Sequence, residues 1–126
     1  NAFLAAGVHI IGRRRWNRRG AMVTDRYQHV TYHPKIEDML TWADSQAIPL
    51  IGVDNLPGSV PLETVSLPKE CVLVFGQEGP GLSLTTQNAC AMVCSISQYG
   101  STRSINAGVA SGIAMHTWIR QHAEIN

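Results

Sequence analysis

The chain has 126 residues, 44% of them hydrophobic and 15% charged, with a formal net charge of +1. That is enough for a single domain over residues 1–126 whose core needs neither disulfides nor a structural metal. No run of about 18 apolar residues is available to span a membrane, and the first residues lack the pattern of a secretory signal, so a cytoplasmic protein is expected.

The chain starts at Asn1 inside what reads as a structural element, as an N-terminally truncated polypeptide would. Ala2–Ala6 reads as the end of a helix, closed by Gly7 in the left-handed conformation. Val8–Ile11 is a short buried strand, and the loop Arg13-Arg-Arg-Trp-Asn-Arg-Arg19 follows it. Residues 21–27 read as helical and His29–Tyr32 as a brief strand. Pro34 suits a helix start, and Ile36, Met39, Leu40 and Ala43 recur at helical spacing, which predicts a helix over 35–46. Pro49 opens the strand Leu50–Val53, and residues 54–59 form a turn. Leu67 and Pro68 lead to the strand Cys71–Phe75. Ser83–Gln87 reads as a short helix capped by Ser83, and Ala91–Ile96 as the next strand. Ser104–His122 reads as a long terminal helix capped by Ser104, with Gly108 and Gly112 on one face where a neighbour could approach closely.

Short strands alternating with helices predict an α/β fold: a mostly parallel sheet with helices on both faces. No Gly-x-Gly-x-x-Gly follows the first strand and no Gly-Lys-Ser/Thr loop occurs, which argues against dinucleotide binding and nucleotide hydrolysis.

The apolar run Val72–Phe75 breaks into Gly76-Gln-Glu-Gly-Pro-Gly81, three glycines and a proline around one carboxylate, Glu78. Each glycine permits a tight turn or a close backbone approach, so the loop's amides and carbonyls can grip a ligand directly. Glu78 either holds the turn by accepting amide protons or orients a hydroxyl or a cationic ligand. A second polar passage carries Ser97, Gln98, Tyr99, Ser101, Thr102, Arg103, Ser104 and Asn106. A cap explains Ser104, whereas Asn106, a mediocre helix former, suits a hydrogen-bonding role in a site.

Charge is unevenly spread: residues 1–35 hold seven of the bases and one acid, Asp25. Five arginines, Arg13, Arg14, Arg15, Arg18 and Arg19, flank Trp16. A solvated loop is one reading; the other is an RNA-binding surface, because guanidinium forks and an indole suit phosphates and stacked bases. Cys71, Cys90 and Cys94 read as buried thiols, and their spacing to the scattered histidines does not fit a metal.

Phe75-Gly-Gln-Glu-Gly-Pro-Gly-Leu-Ser83, then Ile96-Ser-Gln-Tyr-Gly and Ser104-Ile-Asn106 opening an alanine- and glycine-rich helix, resembles the SpoU/TrmH family. With the opening Asn-Ala-x-x-Ala-Ala-Gly-Val, the resemblance extends over nearly the whole chain. It implies an S-adenosyl-L-methionine-dependent RNA ribose 2'-O-methyltransferase with a trefoil-knotted C-terminal part, usually a homodimer, acting on tRNA or rRNA. By the same resemblance Glu78, Ser104 and Asn106 are the catalytic candidates. Phe75, Gly76, Gly79, Ile96, Gln98, Ser101 and Ile105 are the cofactor-binding candidates, and the arginine loop lies near the RNA-binding face. Gln98 departs from the family's usual proline or methionine, and the family's first-motif arginine would fall just before Asn1. Two alternatives stand beside this: a non-catalytic RNA-binding module retaining the fold, and a base-nitrogen methyltransferase of related architecture.

Overall fold

The computed structural model describes residues 3, 5–12, 29–77, 79–101 and 105–123, and the chain divides into two compact units, residues 1–46 and 47–126. In the first, β1 (Val8–Ile11) lies parallel to β2 (Val30–His33), in register from Val8↔Val30 to Ile11↔His33. Helix α1 (Ile36–Ser45) buries Met39 and Ala43, one turn apart, and exposes its polar positions. The backbone N–H of Lys35 donates to Asp38 Oδ2 at 3.1 Å, and Glu37 and Asp38 complement the positive end of the helix dipole.

Strand register places His9 and His33 on one face of this pair. His9 Nδ1 lies 2.8 Å from His33 Nε2, and the His9 ring centroid is 4.2 Å from that of Trp42 on α1. One proton serves the contact between the two imidazoles, and a second would set N–H against N–H. Burial, and then the neighbouring His33, hold the His9 pKa below the ordinary value of 6.5.

The second unit is built on a four-stranded parallel sheet in the order β4-β6-β3-β5. Its strands are β3 (Leu50–Val53), β4 (Val60–Pro61), β5 (Val72–Phe75) and β6 (Met92–Ser95). All four residues of β3 are buried, as an unbroken apolar run requires of a strand covered on both faces. Ile51 and Val53 face a core shared with Leu62, Cys94 and Ala114. Gly52 faces the other way, where an added Cβ would meet Leu82 Cδ1 at 2.8 Å and Cys90 Sγ at 3.2 Å. Helix α2 (Leu84–Ala89), between those two residues, therefore flanks one face, and α3 (Ala107–His122), bearing Ala114, covers the other. This is the expected parallel sheet with helices on both faces.

The far end of α3 is fastened to residues 65–69. Gln121 accepts the Leu67 N–H at 2.7 Å and donates to the Val65 carbonyl at 3.1 Å. His122 Nε2–H donates to the Leu67 carbonyl at 2.7 Å, and Trp118 Nε1–H to that of Pro68 at 3.1 Å. A segment with no sheet partner thus has its polar backbone satisfied by side chains. The three cysteines are free, and burial pushes their thiols up. Among the described residues no cluster of His, Cys, Asp and Glu is placed to hold a metal, and no helix is long and apolar enough to cross a membrane.

Several expectations are corrected. Gly7 does not have a positive φ, and Ala5 and Ala6 are not helical. Strand β2 runs Val30–His33 rather than His29–Tyr32. Helix α3 begins at Ala107, not Ser104, because Asn106 is its cap. Among the described residues, Gly112 has nothing within 4 Å of an added Cβ and Gly108 meets only Asn106 Oδ1, so neither marks a close helix contact there. The two-residue β4 was unforeseen, and its Pro61 is tolerated at a sheet edge. The arginine loop and the helix expected over 21–27 lie outside the described residues.

The lowered His9 pKa sets a pH dependence. The unfolded chain takes up a proton that the folded one resists, so this contribution is complete above about pH 6.5 and drains away as pH falls through the lowered value. The melting temperature of the native chain should drop between about pH 7 and about pH 5 more steeply than that of His9→Gln, which cannot titrate there. Parallel pH profiles would remove the His9 contribution.

Candidate functional site

Strands β6, β3 and β5 are neighbours and run the same way, so their carboxyl ends open on one side of the sheet. That edge is where open parallel sheets take ligands. A cavity of about 360 Å³ lies there. It is lined by Val53, Asp54 and Asn55 after β3, by Phe75, Gly76, Gln77, Gly79 and Gly81 after β5, by Ile96 and Gln98 after β6, and by Ile105, Asn106, Ala107 and Ala110 at the start of α3.

The wall beyond β5 is largely main chain. Gly81 N–H donates to the Gln77 carbonyl at 2.8 Å, closing a turn in which Gly79 and Gly81 have φ of 89° and 72°. A side chain at either position would be strained. Gly76 meets a different constraint: an added Cβ would run into the backbone of Gly81 and Leu82. The strand end and the turn therefore touch main chain to main chain. Beyond the turn, Ser83 caps α2 by accepting the Thr86 N–H at 3.2 Å, as expected.

On the facing side, Asn106 Oδ1 accepts the Gly108 N–H at 2.8 Å and the Val109 N–H at 3.3 Å. The residue that lines the cavity is thus also the cap of α3, which supplies a local reason for an asparagine there. Ser97, between two lining residues, is gripped by Glu63: its N–H donates to Oε1 and its hydroxyl to Oε2, each at 3.0 Å. Burial raises the Glu63 pKa, but hydrogen bonds from its own backbone and from the Ser97 backbone and hydroxyl outweigh that and hold the carboxyl below its ordinary range.

Of the residues singled out in the sequence, Phe75, Gly76, Gly79, Ile96, Gln98, Ile105 and Asn106 come together on this cavity. Ser101 is exposed and stands outside the lining. Glu78, Ser104, Arg13, Arg14, Arg15, Trp16, Arg18 and Arg19 lie outside the described residues. Gln77 and Gly81 belong to the glycine loop expected to offer its main chain to a ligand, whereas Val53, Asp54, Asn55, Ala107 and Ala110 were not foreseen as lining residues. For Asp54 and Asn55 a usable signal existed: they are the first two residues after a strand of a parallel sheet, at its carboxyl end.

Residues 1–116 match the SpoU rRNA Methylase family. The chain belongs to that family. An uncharacterized tRNA/rRNA methyltransferase of Mycobacterium leprae is 36% identical over 80 residues, 64% of this chain and 25% of that protein. The 23S rRNA (guanosine-2'-O-)-methyltransferase RlmB of Nitrosomonas europaea is 35% identical over 63 residues, 50% of this chain and 24% of that one. The SpoU chain therefore spans about a quarter of the length of the curated relatives it matches. Its fold is similar to that of the SpoU methyltransferase AviRb from Streptomyces viridochromogenes, solved with the cofactor AdoMet. The TM-score is 0.84 at 22% identity, covering 95% of this chain and 51% of that one.

Gly76→Ala tests the main-chain wall without any ligand. The methyl group must push the turn aside, at a cost of about 1–3 kcal/mol typical of overpacking. Amide resonances of Gln77, Gly79, Gly81 and Leu82 should shift together and the melting temperature should fall. Unmoved turn amides would show that the strand end and the turn are not in contact.

Proposed function

We propose that this SpoU chain binds S-adenosyl-L-methionine in the cavity at the carboxyl ends of β3, β5 and β6 and serves methyl transfer to a ribose 2'-hydroxyl of tRNA or rRNA. The observation that carries the proposal is convergence. The glycine turn after β5, the loop after β6 and the cap of α3, distant in sequence, line one cavity. Its volume of about 360 Å³ falls in the range of small-molecule sites, about 300–1,000 Å³. The lining suits a nucleoside with a charged tail: apolar Val53, Phe75, Ile96 and Ile105 beside polar Asp54, Asn55, Gln77 and Gln98. The likeness to AviRb with its AdoMet and the relationship to RlmB, a 2'-O-methyltransferase by name, support the same reading.

When bound, the cofactor supplies a sulfonium methyl group, which passes to the hydroxyl oxygen as the carbon–sulfur bond breaks and the thioether remains. The chain's part is to bind, orient and exclude water. Gly76 and the turn after it present main chain that lets the ligand lie close. Phe75, Gly79, Ile96, Gln98 and Ile105 complete the proposed cofactor set, and Ser101, exposed and outside the lining, drops out of it. Asn106, Ser104 and Glu78 are proposed to order the ribose hydroxyl, which needs only correct placement and a late acceptor for its weakly acidic proton. Arg13, Arg14, Arg15, Arg18 and Arg19 are proposed to hold RNA phosphates, with Trp16 stacking on a base.

The same reading takes residues 1–126 as a single methyltransferase domain of a cytoplasmic enzyme, with α3 the segment threaded through the knot. It also gives α3 a second copy of the chain as neighbour, supported by its exposed Val109 and Ile113.

Asn106→Asp separates the cap from the chemistry. The carboxylate keeps an acceptor for the Gly108 and Val109 amides, so stability should hold within about 0.5 kcal/mol, while loss of the amide N–H donor should lower methylation of RNA by about 10²-fold or more. Unchanged turnover would remove Asn106 from the reaction, and mapping the modified atom separates ribose from base-nitrogen chemistry. Replacing the five loop arginines together should weaken RNA binding and flatten its salt dependence, by about one unit of slope for each phosphate that is no longer neutralised. An RNA affinity indifferent to both the replacement and the salt would remove that loop from the interface.

A further inference from the structure

The loops that bound the cavity are braced from outside themselves. Asp54 directly follows β3, and its Oδ2 accepts the Leu82 N–H at 3.0 Å. Its own N–H donates to the Cys94 carbonyl on β6 at 2.9 Å, which fixes where the carboxylate starts. A Cβ on Gly81 would run into the same Oδ2, so the carboxylate presses that oxygen against the glycine turn. Beyond β4, in the 3-10 turn Leu62–Thr64, Glu63 holds both the N–H and the hydroxyl of Ser97. Ser97 is flanked by Ile96 and Gln98 on the opposing wall. The partners are 28 and 34 residues apart in sequence, so neither contact is a by-product of a local turn.

We propose that Asp54 and Glu63 are a pair of positioning residues, each clamping one of the two loops, so that the segment 54–63, anchored to the sheet by β4, sets how far apart the cavity walls stand. The turn after β5 is held through Leu82 and the loop after β6 through Ser97. Both clamps use charged acceptors on backbone N–H groups, the stronger class of hydrogen bond. A cavity whose walls are preset binds without the cost of ordering them, and the clamps act on affinity through that saving. The choice of S-adenosylmethionine as ligand rests on the function proposed above.

The test has a ligand-free arm and a ligand arm. Amide hydrogen exchange on the free protein should find Leu82 and Ser97 protected in the native chain. Asp54→Ala should release Leu82 alone, and Glu63→Ala should release Ser97 alone. Calorimetric titration with S-adenosylmethionine, well below the melting temperatures of all variants, should show each alanine variant weakened about tenfold, the scale of removing one or two charge-assisted hydrogen bonds. Glu63→Gln should restore affinity to within about threefold, since its oxygen still accepts the Ser97 N–H and its amide donates to the Ser97 hydroxyl. Asp54→Asn, which keeps one acceptor oxygen, should recover in the same way.

A purely structural role would lower melting temperatures and leave the dissociation constant unmoved, which would overturn the proposal. So would a Gln variant as weak as the Ala variant, because charge and not placement would then be what matters. A native chain that binds no S-adenosylmethionine would defeat the functional reading, and the exchange arm would then decide the clamps alone: unprotected Leu82 and Ser97 amides overturn them, and protection that disappears selectively in the alanine variants upholds them.

Discussion

The second unit depends on a contact that only a missing side chain allows. Gly76 closes β5 with its α-carbon directly against the backbone of Gly81 and Leu82. The turn consequently folds back across the strand end and forms a wall of amides and carbonyls. Pairing of Val53 with Phe75 sets the ends of β3 and β5 level, so Asp54 stands beside that turn and reaches Leu82. The cavity is therefore the space left when three parallel strands stop at one edge and a glycine turn is pressed against it.

Helix α3 links this edge to the rest of the unit. Its first turn is closed by Asn106 at the cavity, and its last five residues carry Trp118, Gln121 and His122 into the backbone of residues 65–69. A 16-residue helix reaches about 24 Å at 1.5 Å per residue. Between those ends Ala114, wholly buried, brings it onto Ile51, Val53 and Cys94. Small residues in the middle and hydrogen-bonding residues at both ends place the helix axis more firmly than its weak amphipathic pattern suggests.

Much of this was legible in the sequence, for physical reasons that differ by element. Strands β1 and β3 were found with their observed bounds, because short runs rich in Val and Ile between Gly or Pro read as strands, but β1, expected to be buried, is only half-buried along its length. Helix α1 announced itself through Met39 and Ala43, and Ser83 was recognised as a cap by its chemistry. The cavity's composition was legible because glycine clusters after an apolar run constrain main chain wherever they occur. Elsewhere a local pattern pointed to the wrong partner. Ser104 and Asn106 are both competent caps, and nothing in their spacing decides between them. Gly7 resembled a helix terminator, but it stands just ahead of β1 against the His29 carbonyl. The pairings of Asp54 with Leu82 and of Glu63 with Ser97 were not legible because the partners are remote in the chain, and β4 is too short to leave a periodic trace.

The sheet order has a further consequence, for how the chain reaches this state. After β3 the backbone goes first to the outer edge at β4, next to the opposite edge at β5, and only then to β6 between β4 and β3. No two strands that meet side by side in this sheet are joined by a tight hairpin, so each pairing must close a long loop before it yields any hydrogen bond. Such topologies fold slowly for their size. The cavity edge, drawing on residues from Val53 to Ala110, acquires its shape only once β3, β5 and β6 have paired.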